Sequence, residues 1–173
     1  MTHNIHINIG SNSGCRHALI ERAAAAVASA AGGRTLRSDV IETAPWGFDS
    51  PNAFLNLGLM VVLDLPEGTD MRAFALSFLK ELQAIERGID PSPHRDASGT
   101  YIDRAIDIDL IAIDGLVMTG GELALPHPRM HEREFVLRPM AQLDPEWRHP
   151  LLGQSAAALL SGLNRSSLSE EVV

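Results

Sequence analysis

The chain has 173 residues, 45% of them apolar and 21% charged, with a formal net charge of −8 at pH 7. This suits one globular domain with a sizeable core and argues against a general nucleic-acid binder, which shows a net basic face to the phosphate backbone. A single cysteine, Cys15, rules out an internal disulfide and a zinc finger and fits a reducing, cytoplasmic setting; the most apolar run, Leu55 to Leu65, falls short of the ~20 residues of a spanning helix, so neither a membrane nor a targeting segment is expected.

Ile5, Ile7 and Ile9 alternate with Asn4, His6 and Asn8, the period of a strand with one buried face, and Gly10-Ser-Asn-Ser-Gly14 interrupts it. His17 to Ala31 is rich in Ala, Leu and Ile and reads as a helix stopped by Gly32-Gly33. Arg34 to Glu42 is expected to form a second strand. An irregular, aromatic loop from Thr43 to Pro51 follows, then a third strand from Phe54 to Leu65. Pro66 to Asp70 carries turn and cap chemistry, and Phe74, Phe78, Leu79, Leu82 and Ile85 recur at helical spacing up to Gly88. The polar stretch between Gly88 and Asp103 reaches the length of ~12 to 15 residues beyond which structureless loops are uncommon and usually functional, which marks it as a mobile active-site loop. Ala105 to Asp114 is the fourth strand, and a short helix ends near Leu143. The order β-α-β-β-α-β predicts a ferredoxin-like α+β fold, an antiparallel sheet with helices packed on it plus C-terminal extras. One domain is expected over residues 1–160, with 161–173 a frayed tail.

Asp107 and Asp109 share one strand face while Ile106, Ile108 and Leu110 share the other. The carboxylates stand about 7 Å apart along the strand, and a hard divalent cation such as magnesium would relieve their repulsion. An amphipathic strand with its polar face in water explains Asp-x-Asp equally well. Arg104 just before the pair, with His127 and Arg133 downstream, tips the reading towards phosphate, because a guanidinium can fork onto phosphate oxygens. His127 and His131 also have the i, i+4 spacing of a zinc pair, but Pro128 sets His127 at a helix boundary and no third ligand is evident. Gly10 to Gly14 lacks the Gly-Lys-Ser/Thr ending of a P-loop. Trp46, Phe48, Phe54 and Phe135, with the amide of Asn56, can sandwich and hydrogen-bond a flat heterocycle, although core packing explains each aromatic alone.

Taken together these motifs resemble the 6-hydroxymethyl-7,8-dihydropterin pyrophosphokinase family. The resemblance runs from about Ile5 to Pro150: Ile9-Gly-Ser-Asn12, Thr43 to Gly47, Phe54-Leu-Asn56, Gln83 with Ile85-Glu86, Arg104 with the run 106–109, Leu125-Pro-His127 and Arg133-Glu-Phe135. It implies transfer of pyrophosphate from ATP to the pterin hydroxymethyl oxygen with release of AMP, using two magnesium ions held by Asp107 and Asp109. Thr43, Pro45, Trp46, Gly47, Phe54, Asn56 and Phe135 would then bind the pterin. Gln83, Arg104, Leu110, His127 and Arg133 would bind ATP, and Arg104, Asp107, Asp109 and His127 would be catalytic. The partners implied are these two small molecules, for a cytoplasmic monomer binding neither nucleic acid nor membrane. The chain departs from the family in the loop, where Tyr101-Ile-Asp-Arg104-Ala replaces Trp-Gly-Pro-Arg-Thr and an acidic Asp103 precedes the arginine; Arg87 and Arg95 are the only other arginines nearby. Glu122 and Ala124 stand where some relatives contact the nucleotide. A ligand-binding module of the same fold without catalysis, and a metal-dependent nucleotide hydrolase, are the competing readings.

Overall fold

The alternating isoleucines form the centre of the sheet. β1 (Thr2–Ser11) pairs antiparallel with β4 (Phe54–Asp64) on one side and with β5 (Asp107–Ile113) on the other. β2 (Arg34–Arg37) and β3 (Ile41–Thr43) both pair with the far edge of β4, giving the order β2-β4-β1-β5 with β3 beside β4. The helices are α1 (Arg16–Ala31), α2 (Met71–Ile89), α3 (Glu134–Leu143) after a short 3-10 helix (Met130–Glu132), and α4 (Ala156–Glu170). The computed structural model describes residues 1–170, with side chains through residue 165. The topology is the expected ferredoxin-like arrangement.

Local chemistry explains the boundaries. Gly32 takes a left-handed φ of 67° at the end of α1, a conformation glycine adopts without a Cβ penalty. Asp70 caps α2 by accepting from the backbone N–H groups of Arg72 and Ala73 at 3.0 and 3.1 Å. The continuous second strand expected from Arg34 to Glu42 is instead two. Arg37 pairs with Leu59 and Ile41 with Asn56, so residues 38–40 face only 57 and 58 and the chain bends. Ser38 keeps the bend satisfied, its Oγ accepting from Gly58 N–H at 2.9 Å and its own N–H donating to Gly58 O at 3.0 Å.

β1 was expected to bury one face and buries both. Ile5, Ile7 and Ile9 enter the main core with Ile20, Val27, Leu57, Phe78 and Leu82 under α1 and α2. Burying each such side chain contributes roughly 1.5–3 kcal/mol. His6 and Asn8, on the opposite face, are only 2% and 5% exposed. They are covered because Ile111, Met130, Val136, Leu137, Met140 and Trp147 build a second core there, which the alternation of β1 alone did not announce. The tail expected to begin at 161 is helical to Glu170, and Leu160 and Leu163 pack on this second core. The position taken as the domain's end therefore lies inside α4. Residues 171–173 lie outside the described residues.

α3 reaches the sheet at Gly58, where a Cβ would stand 2.6 Å from Pro139 Cβ. Gly58→Ala should therefore lower stability by about 1–3 kcal/mol, the usual cost of overpacking. Urea unfolding should show this as a lower midpoint at unchanged slope; an unchanged midpoint would mean that α3 can retreat without loss.

Candidate active site

Register assembles the site. Gly10 of β1 lies opposite Asn56 on β4 and opposite Asp107 on β5, so the three form one row across the sheet. Asn8 forms the next row with Gly58 and Asp109. A Cβ at Gly10 would lie 3.2 Å from Asn56 Oδ1 and 3.4 Å from the Phe54 ring, so glycine there leaves the floor of a slot open.

Asn8, Thr43, Trp46, Phe48, Phe54, Asn56 and Phe135, with Arg104 and Asp107 at one end, line a small cavity above that floor. Asn56 Nδ2 donates to Thr43 Oγ1 at 3.0 Å, and Asn56 Oδ1 accepts from Asn8 Nδ2 at 3.4 Å. Phe48 packs edge-on against Phe54 with ring centroids 6.2 Å apart. Pro45 and Gly47 belong to the same loop but are not among the lining residues. A slot walled by aromatic rings with an oriented amide suits a flat, hydrogen-bonding heterocycle.

A second cavity, lined by Trp46, Tyr101, Arg104, Asp107, Asp109, His127, Arg133 and Phe135, adjoins the first. Arg104 Nη2 lies 2.8 Å from Asp107 Oδ2, and Arg133 Nη1 lies 3.9 Å from Asp109 Oδ2. Neither guanidinium is saturated: Nε and Nη1 of Arg104 and Nε of Arg133 are buried without an acceptor among the described residues. Such donors are costly to leave unmet in an interior, and an anionic ligand would fit them. Arg133 also lies over the Trp46 ring at 4.7 Å, with Arg129 at 4.8 Å.

The carboxylates are as unsettled as the cations. Burial first, and the charge of Asp107 second, push Asp109 up to about 7, against the pull of Arg133 and Arg104. A third of its side chain (33%) stays open to the cleft, leaving a route for a ligand. Glu86 is also raised, by burial and by Asp107, although its Oε2 accepts from Ile108 N–H at 2.7 Å. Glu86, His94 and Asp107 bring ligand atoms within 4.8 Å of one another, the metal-competent group found among the described residues. Asp109 stands beside that group, one strand repeat further along. The donor set fits a hard divalent cation, with carboxylate oxygens crowded enough that positive charge would stabilise them.

His127 is held to β5 by its N–H, which donates to Ile111 O at 2.7 Å. Burial, then Arg133 and Arg129, lower its imidazole to about 4, so the ring is neutral. Its Nδ1 is met by Arg129 N–H at 3.3 Å and its Nε2 lies 3.4 Å from Arg133 Nη1. A neutral ring has one lone pair for these two donors, and an anionic oxygen between Nε2–H and the guanidinium would satisfy both. The zinc pairing with His131 does not form: His127 precedes the 3-10 helix that carries His131, and the two share no helix face.

Of the remaining expected residues, Gln83 lies in an open cleft with Glu86, Leu110 and His127. The Leu110 side chain is 3% exposed and belongs to the main core, so only its main chain, on the edge strand, can face a ligand. Asn8, Gly10, Glu86, His94 and Tyr101 were not anticipated as site residues. The parity of Asn8 and Gly10 with each other was the available signal, but it has no meaning until the strand partners are known.

The segment between Gly88 and Asp103 was expected to lack structure. It folds as a small hairpin in which Arg95 bridges Tyr101, Asp96 Oδ1 accepts from the N–H groups of Ser98 and Thr100 at 2.8 and 3.0 Å, and Arg95 stacks on Tyr101 with its guanidinium carbon 3.5 Å from the ring centre.

Residues 6–145 match the family model of 7,8-dihydro-6-hydroxymethylpterin-pyrophosphokinase (HPPK). The chain belongs to this family. It is 35% identical over 147 residues to the 2-amino-4-hydroxy-6-hydroxymethyldihydropteridine pyrophosphokinase of Porphyromonas gingivalis, covering 84% of this chain and 93% of that one. It is 31% identical over 143 residues to the protein of the same name from Methylorubrum extorquens, covering 82% of each. Among solved structures, an HPPK-DHPS in complex with substrates superposes with a TM-score of 0.73 at 12% identity. An HPPK-DHPS of Plasmodium falciparum gives 0.70 at 14%. Both cover 99% of this chain, which spans 45% and 47% of their lengths, and at such identity they establish the HPPK fold alone. No helix among the described residues is long and apolar enough to cross a membrane.

The neutral state of His127 is directly checkable. Its folded pKa lies below the ordinary value of about 6.5, so unfolded chains bind more protons between about 4 and 6.5 and His127 makes stability fall as pH drops through that window. NMR titration of its ring should give a midpoint near 4, and His127→Gln should flatten the pH dependence of stability there. A midpoint near 6.5 would contradict the buried, guanidinium-flanked ring.

Proposed function

We propose that this chain transfers pyrophosphate from ATP to the hydroxymethyl oxygen of 6-hydroxymethyl-7,8-dihydropterin, releasing AMP, as a step of folate biosynthesis. One observation carries the assignment. The amide-and-aromatic slot and the charged cavity share Trp46, Arg104, Asp107 and Phe135 as common wall, so a flat alcohol in the first lies beside an anion in the second. Membership of the HPPK family supports reading the pair as a pterin subsite and a triphosphate subsite.

In this reading Phe54 and Phe135 flank the pterin and Asn56, oriented by Thr43 and Asn8, hydrogen-bonds its edge, with backbone help from Thr43, Pro45, Trp46 and Gly47. Arg104, His127 and Arg133 receive the triphosphate through the donors left without acceptors. Gln83 and the main chain of Leu110 face the nucleotide across the open cleft. Asp107 and Asp109 would hold two magnesium ions. These would supply Lewis-acid stabilisation of charge on the transferred phosphoryl oxygens. The hydroxymethyl oxygen forms the new bond to the β-phosphorus and gives up its proton to solvent as the bond to the bridging α,β-oxygen breaks, and AMP leaves with that oxygen. The chain's own residues contribute alignment and fixed positive charge. We place the enzyme in the cytoplasm, in keeping with its one free cysteine, and read it as a monomer.

Asp107→Ala and Asp109→Ala should each lower the rate of pterin-dependent AMP release by about 10³-fold, equivalent to roughly 4 kcal/mol of transition-state stabilisation. Full activity in either variant would sink the assignment, and ATP breakdown independent of pterin would redirect it to a hydrolase. Phe135→Ala should weaken pterin binding about tenfold in calorimetry, from the loss of roughly 0.5–1.5 kcal/mol of ring stacking together with buried area; unchanged affinity would remove Phe135 from the slot.

A further inference from the structure

The acidic residue that precedes Arg104 is the meeting point of three loops. Asp103 Oδ1 accepts from Asn12 Nδ2 and from Ser50 Oγ, both at 2.6 Å, and its Oδ2 accepts from Asn52 Nδ2. Asn12 belongs to the turn after β1, Ser50 and Asn52 to the loop that carries Trp46 and Phe48, and Asp103 to the end of the hairpin segment. Asn12 is 2% exposed and grips the next residue through its main chain, Oδ1 accepting from Arg104 N–H at 2.9 Å and its own N–H donating to Arg104 O at 3.2 Å. Ser50 Oγ also accepts from Asn52 N–H at 3.1 Å, which closes the cluster. The Ser50 hydroxyl, then Asn52 and Asn12, hold the Asp103 carboxyl below the usual carboxylate range.

We infer that Asp103 is a positioning residue that ties the aromatic wall of the heterocycle slot to Arg104, fixing the two halves of the site relative to each other. The inference rests on the pterin-and-ATP reading of those halves. Phe48 is the wall concerned. It sits in the tethered loop, lines the slot, and meets the far side through the Tyr101 ring, at a centroid distance of 6.4 Å, and the Arg104 guanidinium, 6.0 Å from its ring centre. Three donors on one carboxylate make charge-assisted bonds, stronger than neutral ones and directional. Asparagine at 103 would keep one acceptor oxygen but set its NH₂ against the donors of the loop, so it restores the tether only in part.

The test separates the tether from the activity. In Asp103→Ala, amide hydrogen exchange in residues 44–53 should speed by at least about tenfold, which corresponds to ~1.4 kcal/mol, while exchange in the core of β1 stays unchanged. KM for the pterin should rise about tenfold with KM for ATP within twofold, and Asp103→Asn should fall between the two. Asn52→Ala, which leaves Asp103 in place, should reproduce the direction, and the double variant should be less than additive. Unchanged exchange in 44–53 would overturn the tether whatever the kinetics. Faster exchange in a chain that never turns over pterin would leave the tether standing and remove the assigned reaction. Equal rises in both KM values would show a general loosening and overturn the positioning role.

Discussion

The central strand is shared by both of its neighbours, and that sharing is the constraint on which the site depends. Because β1 pairs with β4 and β5 along most of its length, Asn56, Gly10 and Asp107 fall in a row and Gly58, Asn8 and Asp109 in the next. A slip of one residue in either pairing would turn the aspartates or the asparagine to the opposite face. The isoleucines of β1 set the phase, since burying them under α1 and α2 leaves only one way for the polar positions to point. Function here is a by-product of hydrophobic register. The same core that stabilises the sheet aims the carboxylates at the slot.

The second feature is an electrostatic imbalance confined to a small volume. Two buried guanidiniums with spare donors face three carboxylates, two of which resist ionisation, beside an imidazole that resists protonation. In their present arrangement these groups leave donors of Arg104 and Arg133 without acceptors among the described residues. A polyanion with a divalent cation would satisfy them, since it gives acceptors to the arginines and positive charge to the carboxylates. A chain of net charge −8 has little long-range attraction for nucleotides, so recognition must come from this local cradle.

Much of this was legible in the residues. The periods of β1, α2 and β5, the cap at Asp70 and the stop at Gly32 lie in local chemistry, and the fold followed from their order. What local chemistry could not supply was the partner of each edge. The break in the expected second strand comes from an extra residue opposite Gly58, visible only once β4 is alongside. The second core under α3 and α4 buries polar residues such as His6, and an alternating pattern naturally reads those as exposed. The segment after α2 looked structureless because its order comes from Asp96 turn bonds and an Arg95–Tyr101 stack rather than from apolar periodicity. Of the site residues carried by family resemblance, Thr43, Trp46, Phe54, Asn56, Arg104, Asp107, Asp109, His127, Arg133 and Phe135 line two adjoining cavities, Gln83 and Leu110 line a further open cleft and Pro45 and Gly47 line none of these, whereas Asn8 and Gly10 enter through register alone.

Trp46 has the guanidinium carbons of Arg129 and Arg133 within 5 Å of its ring centre, at the wall common to both cavities. The other tryptophan, Trp147, is locked in the second core with its indole N–H on Asp114 O at 2.9 Å. Indole emission responds to the electric field across the ring, and only one of the two rings stands in a field that an incoming anion would rewrite. Trp46 thus stands where an arriving charge would change the field across an indole, while Trp147, 101 residues further along the chain, stands apart from it in the second core.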